Sequence, residues 1–275
     1  MNKGRIIVSC TTTAARLRLL FYALESIKHQ SLQPDKVLVN ISAAPYLKDE
    51  GLCEVPEWVE SDLVEVNWVE NLGPYRKLLP TLEMSSDEDC VVTMDDDIIY
   101  GESWVRSLVE RSREYLDHLI SARLKKKKKT VYGGWKNYRL WPLIGKAQTG
   151  ANILPTGGGG VLYRKRFLDL EFLTDRKSQE IAPTTDDLWF RMASLLRGTQ
   201  VMADPTIGAD SLFLSHEQEL EEGNLVKSRS YFSKVKNNTL GILAGHLGVN
   251  ETQNDRAWDR ICEYANWPKF QRQQL

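Results

Sequence analysis

The chain predicts an open, mainly parallel α/β sheet with helices packed on it. Three observations carry that expectation. Short β-branched runs alternate with apolar residues at helical spacing. One of those runs, Val91-Val92-Thr93-Met94, leads straight into Asp95, Asp96 and Asp97 and the sequence then turns apolar again at Ile98. With 275 residues, 42% hydrophobic and 27% charged, the chain is long enough to bury a substantial core.

Taken in order, Arg5-Ile6-Ile7-Val8-Ser9-Cys10 reads as a first strand, followed by a helix with Leu17, Leu20, Phe21, Leu24 and Ile27 on one face. Pro34 and Asp35 turn the chain into a second strand over 36–42, and a third strand signal spans 63–69. Pro74 opens a helix carrying Leu78, Leu79 and Leu82, after which an acidic turn precedes the strand that delivers the aspartates. Beyond them Trp104, Val105, Leu108, Val109, Leu116, Leu119 and Ile120 keep helical spacing and read as one helix packed on the sheet. A last helix begins near Asp186 and buries Leu188, Trp189, Met192, Leu195 and Leu196. Right-handed crossovers make the first four strands neighbours, with ligands bound at the sheet's carboxyl edge.

The residues able to carry chemistry cluster at that edge. Crowded carboxylates cost several kcal/mol unless a cation or hydrogen-bond donors compensate, so Asp95, Asp96 and Asp97 read either as the seat of a divalent metal or as an acidic turn. Strand alternation places Asp95 and Asp97 toward one site and Asp96 elsewhere. Thr11, Thr12, Thr13 and Arg16 follow the first strand and either grip a nucleotide or cap the next helix. Arg76 and Lys77 put cations near another helix start, a suitable place for phosphate. Gly157, Gly158, Gly159 and Gly160 form either a flexible turn or a close approach of backbone to ligand, without the pattern of a phosphate loop. Asp186 and Asp187 open the last helix: the helix dipole explains one acid, and a general base would explain the other.

Composition narrows the classes. A net charge of −1 and a pI near 6.5 argue against a broad nucleic-acid surface. The lysine run at 125–129 reads as the solvated end of a helix, with a membrane-surface role as the alternative. Cys10, Cys53, Cys90 and Cys262 lack metal-ligand spacing and indicate no disulfide framework, so a reducing compartment is expected. No apolar stretch approaches the roughly 18 residues that a membrane span needs, and residues 1–5 do not open a signal peptide.

Together Ser9-Cys10-Thr11-Thr12-Thr13-Ala14-Ala15-Arg16, Leu72-Gly73-Pro74-Tyr75-Arg76-Lys77-Leu78, Asp95-Asp96-Asp97, the glycine run before Tyr163 and Thr185-Asp186-Asp187-Leu188-Trp189 resemble the GT-A glycosyltransferases. The likeness is to the inverting family 2-like enzymes that build bacterial surface polysaccharides, and it covers most of residues 5–200. It implies one GT-A domain over 1–275, with a nucleotide-binding half to about residue 97, an acceptor half over about 98–215 and a C-terminal tail from about 216.

The resemblance further implies a nucleotide-sugar donor, with UDP expected, and a glycan or lipid-linked acceptor of capsule or lipopolysaccharide synthesis. Hexosyl or N-acetylhexosaminyl transfer is expected, on the cytoplasmic side, either free or peripheral to the inner face of the plasma membrane. Mn²⁺ or Mg²⁺ would join the diphosphate to Asp97, with Asp95 on ribose or metal and His216, or else His246, as a further ligand. Thr11, Thr13, Arg16, Asn40, Lys77, Asp95 and Asp96 would contact the donor nucleotide. Trp135, Gly158, Gly159 and Gly160 would line the sugar or acceptor site, and Asp187, or Asp186 beside it, would be the base.

The chain departs from the family pattern in having Thr-Thr-Asp-Asp where a Glu-Asp pair is usual. After about residue 215 the likeness fades into an acidic stretch and a segment carrying Trp258, Ile261, Tyr264 and Trp267, which would close over the donor, complete the acceptor site or touch a membrane. The competing readings are a sugar-phosphate nucleotidyltransferase and a noncatalytic carbohydrate-binding relative.

Overall fold

A computed structural model describes residues 4–126, 137–214 and 252–267. Its strands are β1 (Ile6–Thr11), β2 (Lys36–Ile41), β3 (Val64–Trp68), β4 (Cys90–Thr93), β5 (Ile98–Ile99), β6 (His118–Ser121), β7 (Leu124–Lys126), β8 (Gln148–Gly150), β9 (Ile153–Pro155), β10 (Val161–Tyr163), β11 (Gln200–Ala203) and β12 (Leu212–Phe213). The helices are α1 (Leu17–Lys28), α2 (Leu79–Met84), α3 (Trp104–Glu114), α4 (Leu170–Leu173), α5 (Lys177–Ile181), α6 (Asp186–Leu196) and α7 (Gln253–Tyr264).

The main sheet has the order β3-β2-β1-β4-β10-β6-β11-β8. The four N-terminal strands run parallel, as the crossovers predict; β10 runs antiparallel between β4 and β6, β11 is parallel to β6, and β8 is antiparallel to β11. Alternate side chains part to two cores. Val92, Ile120 and the alternate residues Ile6, Val8 and Cys10 of the first strand meet α1 and α3, while Val91, Leu119 and Tyr163 meet α6 and α7. Both faces of the sheet are therefore covered, which is why these strands are almost continuously apolar.

Several expectations change. Helix α3 stops at Glu114: Leu119 and Ile120 belong to β6, where strand alternation sends them to opposite cores, and Leu116 is exposed in the connection. The segment after Pro74 is a 3-10 turn over Gly73–Lys77 followed by the short α2, because Pro80 lacks the N–H needed to continue a helix and instead starts a new one. Phe21 is exposed and packs edge-on against Trp58 rather than joining the buried stripe of Leu20, Ala23, Leu24 and Ile27. Lys125 and Lys126 lie on strand β7, paired with β9, and not on a helix; the remainder of the lysine run lies outside the described residues.

The C-terminal helix α7 packs on α6. A capping box between Thr252 and Asp255 starts it, and Ala257, Trp258, Ile261 and Cys262 join the α6 core. Asp255 also accepts a 2.7 Å hydrogen bond from the Tyr138 N–H, which ties α7 to the chain beside the cavity described next. Among the described residues no helix is long and apolar enough to cross a membrane.

Candidate active site

A cavity of about 440 Å³ opens at the carboxyl ends of β1 and β4. It is walled by the threonines after β1, the aspartate turn after β4, the turn at Gly73–Lys77, Gly158 and the first turn of α6. Thr11, Thr12, Thr13, Arg16, Lys77, Asp95, Asp96, Asp97, Gly158, Asp186 and Asp187 all line it.

The aspartates sit in a turn beyond the end of β4, so strand alternation does not govern them. Asp96 is not directed elsewhere but is buried against the cavity wall, where Thr12 Oγ1 donates to Oδ2 at 2.7 Å and Arg16 pairs with the other oxygen. Burial pushes the Asp96 carboxyl up to about 6, with the charges of Asp97 and Asp95 adding and Arg16 and Thr12 opposing. Arg16 also pairs with Asp97 at 2.8 Å. Asp95 diverges from both: its N–H donates to the Tyr100 hydroxyl at 2.8 Å and its carboxylate lies 3.7 Å from Lys77 Nζ.

Lys77 joins the two acidic groups. Its ammonium is 3.0 Å from Asp186 and 3.7 Å from each of Asp95 and Asp187, and the residue is almost wholly buried. Burial works against the charged form, but Asp186, Asp187 and Asp95 outweigh it and hold the Lys77 pKa well above the ordinary value. The Lys77 carbonyl accepts a 2.6 Å bond from Ser9 Oγ, so the first strand fixes the turn that presents the lysine. Asn40 belongs to that support rather than to the cavity: its amide donates to Ser9 Oγ and Thr81 Oγ1 and its carbonyl accepts from Asn67.

The two acids of α6 differ in surroundings. The Asp186 side chain is 9% exposed and directed to Lys77, whereas that of Asp187 is 28% exposed toward the cavity. The Gly157 N–H donates to Asp187 Oδ2 at 3.0 Å, leaving Oδ1 without a hydrogen-bond partner among the described residues. Burial pushes Asp187 up to about 6, Lys77 pulls it down, and Asp186 raises it again. Thr185, the residue before α6, makes no side-chain capping bond, and both acids fall in the first turn of the helix, where its dipole favours them.

The glycine run is a 3-10 turn over Gly157–Gly159. Gly157 has no room for a Cβ, which would stand 2.5 Å from Lys77 Nζ and 3.2 Å from Asp187 Oδ1. Gly159 and Gly160 face away from the cavity lining: Gly159 abuts Arg123, and Gly160, at φ 93°, lies on the Trp104 ring, whose Nε1–H donates to the Gly159 carbonyl at 2.8 Å. Trp135, His216 and His246 lie outside the described residues.

Several lining residues were not apparent from sequence. Arg123 and Phe213 form a cation–π pair with the guanidinium carbon 5.2 Å from the ring centre, and Tyr46, Thr156 and Asn254 also line the cavity. No motif flags them, because they come together only through the pairing of β12 with β5, the course of β6 and the docking of α7. Buried polar atoms without a hydrogen-bond partner among the described residues include Thr11 Oγ1, Thr156 Oγ1, Thr185 Oγ1, Arg76 Nη1 and Asp187 Oδ1 on the lining, and others away from it such as His118 Nδ1 and Arg164 Nε. Buried polar groups are normally satisfied, so the unpartnered atoms of the lining are open to a polar ligand.

The fold is similar to that of S. aureus TarS residues 1–349, with a TM-score of 0.51 and 14% identity over 89% of this chain and 72% of that one. TarS 1–349 in complex with UDP gives a TM-score of 0.51 and 13% identity over the same shares. At that identity the likeness carries the fold, which is the open, mainly parallel sheet flanked by helices expected of the GT-A class. No family model matches the chain, and neither does any curated protein.

Proposed function

We propose that the protein is a metal-dependent, inverting glycosyltransferase that moves a sugar from a nucleoside-diphosphate donor, UDP being expected, to a hydroxyl of a glycan or lipid-linked acceptor. The observation that carries this reading is the facing of Asp95 and Asp97 on one wall by Asp187 on another across a single cavity, with Lys77 between them. The binding of UDP by TarS on the same fold supports a uridine nucleotide as the first to test.

Two carboxylates are available to a divalent cation. Asp95 and Asp97 offer hard carboxylate oxygens on the cavity wall, and since no cluster of three or more acidic, histidine or cysteine ligands is assembled among the described residues, oxygens of a bound diphosphate would have to complete the ion's shell. Asp97 and Asp95 would hold Mn²⁺ or Mg²⁺. When bound, such an ion supplies compensation for the negative charge of the departing nucleotide.

The remaining chemistry belongs to the chain. Asp187 Oδ1 takes the proton of the acceptor hydroxyl as that oxygen attacks the anomeric carbon; a carboxylate near pKa 6 is ionised at neutral pH yet basic enough to accept. The Gly157 N–H bonds to its Oδ2, and Asp186 holds Lys77 beside it, which supports Asp187 rather than Asp186 as the base in this reading. Attack from the acceptor side with the nucleotide leaving on the other gives inversion. Thr11, Thr13 and Arg16 line the same cavity and would contact base, ribose or phosphate.

The test is calorimetric titration with UDP, GDP, CMP and dTDP, with Mn²⁺ and with EDTA. One nucleotide is expected to bind in a metal-dependent way, Asp97→Ala to abolish that binding, and Asp187→Asn to retain it while lowering turnover by about 10²-fold or more. A folded chain that binds none of them refutes the donor site. Release of pyrophosphate instead of a nucleoside diphosphate would assign the site to nucleotidyl transfer.

A further inference from the structure

We propose that Arg123 holds the distal phosphate of the nucleoside diphosphate, the one next to the sugar. The inference rests on the donor reading above and names a residue for it that the sequence motifs leave out.

The cations of the cavity are largely committed. Arg16 pairs with Asp96 and Asp97, Arg76 with Asp49, and Lys77 with Asp95, Asp186 and Asp187. Lys125 covers the Tyr138 ring at 4.0 Å, and Lys48 is exposed at the rim. Arg123 differs from these. It is half-buried, lines the cavity and has no carboxylate partner among the described residues, its guanidinium carbon lying 5.2 Å from the centre of the Phe213 ring. A guanidinium over an aromatic ring keeps N–H donors free at its edge, and that edge matches phosphate oxygens in pairs.

The pair is tied to the aspartate turn. Phe213 pairs with Ile98 in the β12–β5 ladder, and the next N–H, of Leu214, donates to the Asp97 carbonyl at 2.8 Å. Gly158 marks how close the parts lie: a Cβ there would stand 2.7 Å from Arg123 Nη1, 3.5 Å from the Phe213 ring and 3.8 Å from Asp95 Oδ2. Guanidinium and Asp95 thus flank one glycine without forming an ion pair, which leaves a gap where an oxyanion can touch the cation.

Topology selects the phosphate. The sheet order β1-β4-β10-β6 separates the threonines after β1 from Arg123, which follows β6. Arg123 therefore enters on the side of Gly157, whose N–H holds Asp187, the side where the sugar and acceptor react. A phosphate it meets is the one adjoining the sugar.

The test titrates the full chain with uridine, UMP and UDP in Mn²⁺. Arg123→Met should weaken UDP binding about 10-fold or more, as loss of a charged hydrogen bond does, and change uridine and UMP by less than about 2-fold. Arg123→Lys should restore part of the UDP affinity as a point charge. Gly158→Ala should reproduce the UDP-selective loss by pushing the guanidinium aside. Unchanged UDP binding in Arg123→Met, or an equal loss for uridine, overturns the assignment. If the unaltered chain binds no UDP, the donor reading falls and takes this inference with it; binding without loss in the variant defeats the inference alone.

Discussion

Replacing Lys77 by methionine tests what holds the two acidic walls together. The side chains are of similar length, so the variant chiefly deletes an ammonium that lies 3.0 Å from Asp186 and 3.7 Å from Asp95 and Asp187. Removing one partner of a buried ion pair costs about 3–5 kcal/mol, because a charge is left without compensation. Asp95 and Asp187 are each 28% exposed to the cavity, where water screens them, so the loss is concentrated on Asp186 at 9%. The lower end, about 3 kcal/mol near pH 7, is the expected destabilisation. The sign with pH follows from the raised Lys77 pKa: its stabilisation is complete below the ordinary lysine value of 10.5 and is lost only as pH climbs through the higher folded value. The unaltered protein therefore keeps it throughout the neutral range. In the variant Asp187 loses the Lys77 charge that pulls its raised pKa down and so takes up a proton more readily on acidification, and the penalty at about pH 5 should be smaller than at about pH 7.5. Urea unfolding of both proteins at both pH values, with the slope checked for constancy, reads the difference. A loss below about 1 kcal/mol, or the same loss at both pH values, would refute the reasoning and mean that cavity water already screens all three acids.

Two further outcomes concern stability. Gly160→Ala should cost about 2–4 kcal/mol, since its φ of 93° suits glycine and a Cβ would stand 2.2 Å from the Trp104 ring; Gly158→Ala meets only a flexible guanidinium at 2.7 Å and should be much milder. Thermal unfolding of the pair separates a packing glycine from a cavity-facing one, and equal effects would contradict the assignment. The unaltered chain should also gain stability on mild acidification. Asp96 and Asp187 have raised pKa values of about 6, so their contribution is present below the ordinary carboxylate value of 3.8 and is lost as pH rises through about 6. Asp89 goes the other way: burial would raise it, but bonds from Arg5 and the Ser86 N–H hold it at about 2, so its contribution is lost only as pH falls toward that value. A urea midpoint that stays flat between about pH 5 and pH 7.5 would contradict the raised pair.

Much of the N-terminal half was legible in sequence, because parallel strands covered on both faces carry dense β-branched runs and connections between them are nearly always right-handed. That the first four strands are parallel members of one sheet, with Thr11, Arg16, Asp95, Asp96 and Asp97 at its carboxyl edge, follows from those rules; the order β3-β2-β1-β4, with β4 beside β1, does not. What failed did so locally. Leu119 and Ile120 fit a helical period as well as a strand period, and only the packing of both sheet faces decides between them. Asn40 ends a strand beside the site, yet a neighbouring Ser9 and Thr81 satisfy its amide within the core, a pairing 31 and 41 residues apart that no local pattern reveals. Arg123 and Phe213 escaped for the same reason: each is unremarkable in its own segment, and the site they share exists only once β12 pairs with β5.

The pairing of the aspartates with Arg16 and Lys77 has a consequence for how ligands would enter. A divalent ion approaching Asp97 and Asp95 competes with a guanidinium and an ammonium already in contact with them. Electrostatics alone then favours the ion only when something anionic arrives with it, because a diphosphate can accept the hydrogen bonds that the displaced cations give up. Metal and nucleotide should bind with positive coupling, and coupling between two ligands is reciprocal, so UDP must tighten Mn²⁺ by the same factor as Mn²⁺ tightens UDP. A factor of about 10 or more is expected from typical coupling energies. Mn²⁺ titrations with and without saturating UDP, followed by electron paramagnetic resonance of the free ion, measure one side of that equality, and UDP titrations with and without Mn²⁺ measure the other. Equal Mn²⁺ affinity in both conditions would show that the aspartates are not held by Arg16 and Lys77 in the way their distances indicate.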